Sequence, residues 1–416
     1  MKNDRNPFSI RQTCGVLVVA GLIAVIIFLP YLRGATAPSD AQNIDAAAAQ
    51  TAVPSATEDA VVSTSVFVPS SLSRDRQQSL IQELSRSISI QTTPNPGNQR
   101  FAPLITMSVN AAVRSVAVNS SETLVASGLE NGAIVVWNIT GLNSGSQIPV
   151  QLLVDHSGPV ASLAFDPQNG QRLASGSNDA TIKIWDVGSG QVTTTLAGHT
   201  DTVSALAFSP NGALLASGAA DTTIRLWNAQ TGAEMGVLQQ HNRPLFSLAI
   251  DPLSQQLVSA GGDNKVILWD LQTRQMLSSL GEHTDWVSGV AFTPADRQVL
   301  SVSYDKTALL WNPQQATAQY LFTDPATTGA LVSVAVHPSG QLAAAASSNN
   351  TIYTWNLLTR EPLESLLGGQ SPITSIAFSP RGTYLVSGSV DGATTLRKMY
   401  KSYTYCQSLC GESLTR

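Results

Sequence analysis

Six of the seven tryptophans stand at nearly constant spacing: Trp137, Trp185, Trp227, Trp269, Trp311 and Trp355 are separated by 48, 42, 42, 42 and 44 residues. A period of this size belongs to a repeat architecture, in which each unit buries its apolar face only against its neighbours. Within one unit, residues 204–232, short runs of Ala, Leu, Val and Ile end at Pro-Asn-Gly, at Ala-Asp and at Gln-Thr-Gly. That punctuation marks strands joined by tight turns. Helical repeats would need apolar positions three and four apart over roughly ten or more residues, and the runs here are too short.

A second pattern rides on the first. His199, Ser217, Asp221 and Trp227 are spaced by 18, 4 and 6 residues. The same spacings recur in His241, Ser259, Asp263, Trp269 and in His283, Ser301, Asp305, Trp311, and with one extra residue in His156, Ser175, Asp179, Trp185. Ser, His and Asp together suggest a nucleophilic triad. One active site needs one triad, however, whereas four copies at the repeat period point to a structural device. The indole N–H can donate to the Ser hydroxyl, Ser to one imidazole nitrogen, and the other imidazole N–H to Asp, so that each buried polar group is satisfied. Three repeats depart from it: Asn131 and Asn349 replace Asp, Ala345 replaces Ser, and Arg397 replaces Trp. His337 falls outside the pattern, in a turn expected to be solvated.

The chain resembles the WD40 family on these residues: Gly198-His199 opens one repeat, Trp185-Asp186 and Trp269-Asp270 close two others, and SGSNDATIKIWD and SGAADTTIRLWN lie between. The repeat wording resembles that of bacterial, notably cyanobacterial, members. The resemblance implies an all-β fold, a seven-bladed WD40 β-propeller of four-stranded blades around a channel. Inner strands are expected near Val113, Val160, Val203, Leu245, Val287, Leu331 and Ile373. The seventh repeat holds only three clear strands, and Leu104 to Met107 stand where the family lets an N-terminal strand complete the last blade, which removes two sheet edges.

Ahead of the repeats, residues 14–32 carry no charged or strongly polar side chain. A helix of that length nearly spans a hydrocarbon core of about 30 Å. Lys2, Arg5 and Arg11 precede the run and only Arg33 follows closely, so the N-terminus is expected in the cytoplasm and the propeller outside, in a periplasm or lumen. Cleavage after Ala35-Thr36-Ala37, giving an exported protein, is the alternative. The expected organisation is a cytoplasmic tail at 1–13, a transmembrane signal anchor at 14–32, a disordered low-complexity stalk at 33–100, the propeller at 101–400 and a tail at 401–416. Within the stalk, Leu80, Ile81, Leu84 and Ile88 fall at helical spacing and predict a short amphipathic helix at about 72–87, packed on the following domain.

The formal charge of −5 and the 12% charged content give no basic footprint, so nucleic acid is not an expected partner. No phosphate-cradling Gly-rich loop and no cofactor motif appear. Cys406 and Cys410, four residues apart without a nearby His, make a weak metal signal. No catalytic, cofactor-binding or metal residue is therefore assigned. The expected function is a membrane-anchored scaffold for a protein or peptide partner; a propeller hydrolase or lyase with a channel site and a structural envelope protein are the alternatives. In WD40 proteins the residues three and five after the repeat His, and the one before the turn Asp, project near the channel mouth. That implies Trp286, Ser288 and Tyr304 in blade five, Pro244, Phe246 and Gly262 in blade four, Thr202, Ser204 and Ala220 in blade three, and Arg114 and Glu130 in blade one.

Overall fold

The structure, a computed structural model, describes residues 64–66, 73–92, 101–140, 150–322 and 328–399. Residues 14–32, Cys406 and Cys410 lie outside them. Among the described residues no helix is long and apolar enough to cross a membrane. The described residues belong to one compact unit.

Seven sheets, antiparallel but for one strand added at an outer edge, follow one another along the chain. Their innermost strands are Val113–Val118, Val160–Phe165, Val203–Phe208, Leu245–Ile250, Val287–Phe292, Leu331–Val336 and Ile373–Phe378. Each touches the next, and the seventh touches the first, which closes the ring. All seven inner strands open with a bulge, as where Val203 faces Ala219 and Ala205 faces Gly218, leaving Ser204 extra. A bulge sharpens the local twist and re-aims one side chain. Here the re-aimed residues line the central channel, among them Arg114, Phe246 and Ser288.

The core is divided among the joints between blades. Ala174, Ile182 and Leu196 of blade two, for example, pack with Val203, Leu215 and Trp227 of blade three. Each joint buries aliphatic side chains that one blade alone would leave in water, at about 25 cal/mol per Å². The repeat tryptophans fill these joints and are almost fully buried.

Blade seven is completed from the N-terminal side. Phe101–Ser108 pairs antiparallel with Ala393–Met399, so the strand expected at Leu104 to Met107 runs longer at both ends. The segment before it is more ordered than its composition suggests. Ser89–Thr92 adds a fifth strand to blade seven against Phe101–Ser108, and Thr64–Val66 pairs parallel with Val150–Val154 of blade one. Helix α1 (Arg74–Ser87) connects the two, with Leu84 fully buried and Leu80, Ile81 and Ile88 packed on the core shared by blades seven and one. The side-chain hydroxyl of Ser87 accepts the backbone N–H of Asn110, which ties the helix end to the loop entering blade one.

The outer edges of the other blades are blunted differently. Blades two to five carry a bulge in the outermost pairing, as between Leu226 and Trp227, and the outer strand of blade six is only Leu366–Leu367. Covering, bulging and shortening are all devices that keep an open edge from recruiting another strand.

Candidate protein-binding site

The tetrads come first, because they fix the loops around the channel mouth. In blades two to five the indole Nε1 donates to the Ser hydroxyl: Trp185 to Ser175 at 2.7 Å, Trp227 to Ser217 at 2.8 Å, Trp269 to Ser259 at 2.8 Å and Trp311 to Ser301 at 2.7 Å. Each Ser lies 2.7–2.8 Å from a His Nε2, on His156, His199, His241 and His283. Each Nδ1 lies 2.8–2.9 Å from Asp179, Asp221, Asp263 or Asp305. Since the Ser oxygen accepts from the indole, its hydrogen points to Nε2, and the imidazole carries its proton on Nδ1, towards Asp. All four serines are fully buried. A hydroxyl closed off from solvent and already bonded on both sides cannot reach a substrate carbonyl, so the arrangement locks a loop.

The Asp carboxylates do a second job. Asp221 also accepts the backbone N–H of Thr200 and both the backbone N–H and the hydroxyl of Thr223. Burial alone would raise its pKa, but the bonds from His199, Thr223 and the two amides outweigh burial and hold it well below the ordinary carboxylate range. Asp179 and Asp305 behave in the same way. Thr181, Thr223 and Thr307, each two residues after its Asp, thus extend the network. The recurring Asp-x-Thr signal was available in the sequence; Lys265 interrupts it in blade four.

With the loops fixed, the mouth is built from seven equivalent backbone bonds. Tyr304 N–H donates to Trp286 O, Gly262 to Pro244 O, Ala220 to Thr202 O and Glu130 to Ala112 O, and blades two, six and seven repeat the bond. The positions implied by the family pattern therefore occupy one end of the ring, but only some offer surface. Trp286, 38% exposed, packs at a tilt between Phe246, with centroids 5.6 Å apart and planes at 41°, and Tyr304, at 5.7 Å and 56°. Phe246 and Tyr304 are half-buried. Burial first, and then the negative charge of Asp285, push the Tyr304 hydroxyl well above its ordinary pKa, so it stays a donor at neutral pH.

The other predicted residues sit elsewhere or are occupied. Thr202 is only 4% exposed, because its loop folds over it with Asp201 accepting its backbone N–H, and it presents no surface. The hydroxyl of Ser288 donates to Leu331 O at 2.6 Å, with Val302 O farther away at 3.2 Å, joining blade five to blade six. Ser204 does the same between blades three and four. Arg114 and Glu130 pair with each other at the mouth of blade one. A channel cavity of about 250 Å³, lined largely by hydroxyls and small side chains, lies beneath. Among the described residues no group of His, Cys, Asp and Glu is placed to hold a metal ion. His337, expected in solvent, is half-buried: its ring meets Phe378 edge-on, Nδ1 lies 2.7 Å from Ser339 and Nε2 lies 3.2 Å from Gly382 O of the next blade.

Comparison with known proteins adds a family match. The model for the WD domain, G-beta repeat, matches residues 101–138, 147–186, 190–228, 232–270, 274–312, 318–356 and 360–395. Among curated proteins the chain is similar to nuclear distribution protein PAC1 of Candida albicans, with 35% identity over 98 residues, 24% of this chain and 20% of that protein. It is similar to Coronin-7 of Homo sapiens, with 34% identity over 119 residues, 28% of this chain and 13% of that protein. WD repeat and SOCS box-containing protein 1 of Homo sapiens shares 38% identity over 94 residues, 21% of this chain and 20% of that protein. In each pair the chain spans a fifth or less of the relative's length. These relatives are fungal and human, and they lend no support to the bacterial reading of the repeat wording.

Proposed function

The chain belongs to the WD domain, G-beta repeat family, and from that premise we propose that it is a protein-binding platform whose main docking surface is the channel mouth at blades four and five. The observation that carries this reading is the cluster of Phe246, Trp286 and Tyr304, three aromatic rings in mutual contact from two adjacent blades. Blade construction does not account for it: Trp286 is the one tryptophan outside the buried repeat series. Large aromatic side chains held by neighbours are the usual anchors of protein interfaces, because they bury much area at little entropic cost. Asp285 and the Tyr304 hydroxyl add polar groups at the rim. The serine hydroxyls that a hydrolytic reading would call on are buried inside the tetrads, which favours binding over catalysis.

Anchoring belongs to the same proposal. The apolar run at 14–32 supports a single membrane pass with the N-terminus cytoplasmic and the propeller on the far side; alkaline extraction and external protease test it.

Binding is tested by pull-down with the full chain, partner identification by mass spectrometry, and titration of that partner. Trp286→Ala and Phe246→Ala should each weaken binding by about 1 kcal/mol or more while the melting temperature stays unchanged. Binding that survives in a stable double variant would remove the mouth from consideration.

A further inference from the structure

At the end of the ring opposite the aromatic mouth, blades three and four enclose a groove of about 620 Å³. Leu214, Leu226, Met235 and Leu271 give it an apolar wall, and Gln256 and Arg274 bring polar groups into it. Met235 is 42% exposed, so its side chain is open to an incoming group.

Arg274 is the distinctive member. It occupies the turn between the third and fourth strands of blade four in the left-handed region, with φ 60°. Blades two and three place Gly190 and Gly232 at this turn position, the residue that adopts such a backbone without strain. The Arg274 side chain reaches back across the joint: a Cβ built on Gly236 in the outer strand of blade three would stand 3.1 Å from its Nη1. Arg360, at the corresponding turn of blade six, with φ 64°, reaches back in the same way and lies over the Tyr320 ring of blade five at 5.2 Å. Blade three has Glu234, Met235, Gly236 and Val237 along that edge, and Glu234 is engaged by Arg225. Arg274 thus arrives where no ring receives it, and among the described residues it forms no ion pair. The neighbouring carboxylates are occupied: Asp270 accepts the N–H and hydroxyl of Thr273, and Asp251 pairs with Arg297 at 2.7 Å.

A second unmet group belongs to a lining residue, although the atom itself is shut off from solvent. The side-chain oxygen of Gln256 is buried and accepts no hydrogen bond. A buried acceptor left so carries a desolvation cost that an incoming N–H would relieve.

We propose that this groove is a second docking site, distinct from the mouth, for a short acidic and apolar segment of a partner protein. An aliphatic or aromatic side chain of the segment fills the wall between Met235 and Leu271. A neighbouring Asp or Glu pairs with the Arg274 guanidinium, whose fork matches a carboxylate.

Peptide display on the full-length chain in detergent tests this, followed by fluorescence titration of the selected peptides. Selected peptides are expected to carry Asp or Glu within a few residues of a large apolar side chain. Their Kd should rise about tenfold or more in Arg274→Glu and in Met235→Asp, less in Arg274→Gln, and not at all in Trp286→Ala. Both sites are on the surface, and overlaid melting curves would show that the variants remain folded. Failure to select any peptide, selection of peptides without an acidic residue, or equal affinity for Arg274→Glu would overturn the proposal. So would peptides lost on Trp286→Ala and kept on Arg274→Glu, a result that would leave the reading of the mouth standing.

Discussion

In blade three, Trp227, Ser217, His199 and Asp221 form one hydrogen-bonded chain within a single repeat. In blade six Trp355 holds the same place, but Ala345 stands where Ser would, and the buried indole N–H has no partner. Asn349, in place of Asp, donates instead to Tyr353 and Thr328. Blade seven uses Arg397, whose buried guanidinium donates to Ser387 at 2.7 Å and to Leu367 O of blade six at 2.9 Å. Burial brings the Arg397 pKa down to about 10, which still leaves it charged at neutral pH. Blade one keeps the indole bond from Trp137 to Ser127, but Ser127 then meets Thr394 of blade seven rather than a His. Blades two to five are therefore locked from within, whereas blades seven and one are locked partly through their neighbours. The region where the ring closes depends on contacts between segments far apart in sequence, which repay their loop-closure entropy only once the rest of the ring is in place.

The largest effect should come from attacking that dependence directly. Deleting residues 101–109 removes the closing strand, leaves Ser89–Thr92 without the strand it pairs with, and opens the edge at Ala393–Met399. Loss of a cooperative melt and concentration-dependent aggregation are expected by calorimetry and light scattering. A monomeric, equally stable truncation would mean that blade seven does not rely on its N-terminal strand.

A smaller effect is expected within an autonomous blade. Asp221→Ala leaves the buried His199 Nδ1–H with only the longer contact to the Thr223 hydroxyl, at 3.3 Å, and should lower stability by about 1–3 kcal/mol in chemical denaturation. The same group predicts a pH dependence. Its folded pKa lies below the unfolded value of about 3.9, so its contribution is present above that value and is lost as pH falls below about 4. The wild-type chain should therefore lose more stability than Asp221→Ala between pH 5 and 3, as markers on the titration. Parallel curves would show that the network carries no linked proton.

The smallest effect is a gain. Ala345→Ser in blade six would give the Trp355 N–H an acceptor and should stabilise the domain by about 1 kcal/mol, read as a rise in the denaturation midpoint. No rise would mean that the joint between blades five and six has no room for the hydroxyl.

The period of the tryptophans, the seven inner strands, the tetrads and the strand that closes the ring were legible in the sequence. Each depends on residues within one repeat, or on a count that leaves one strand missing, and such patterns repeat until they are noticed. Thr181, Thr223 and Thr307 were equally legible through Asp-x-Thr and extend the same local network. What only the tertiary structure decided lies between repeats. Phe246, Trp286 and Tyr304 come from two blades, and their tilted contacts depend on the angle at which those blades meet. Thr202 and Ser288 share the family positions but are buried or spent on neighbouring carbonyls. The segment around α1 reads as a polar stalk, because Leu80, Ile81, Leu84 and Ile88 are too few to form a core alone; they are ordered by the apolar surface that blades seven and one already present. Hydrogen bonding within a repeat follows from spacing along the chain, whereas packing between repeats follows from the curvature of a closed ring, which no single repeat encodes.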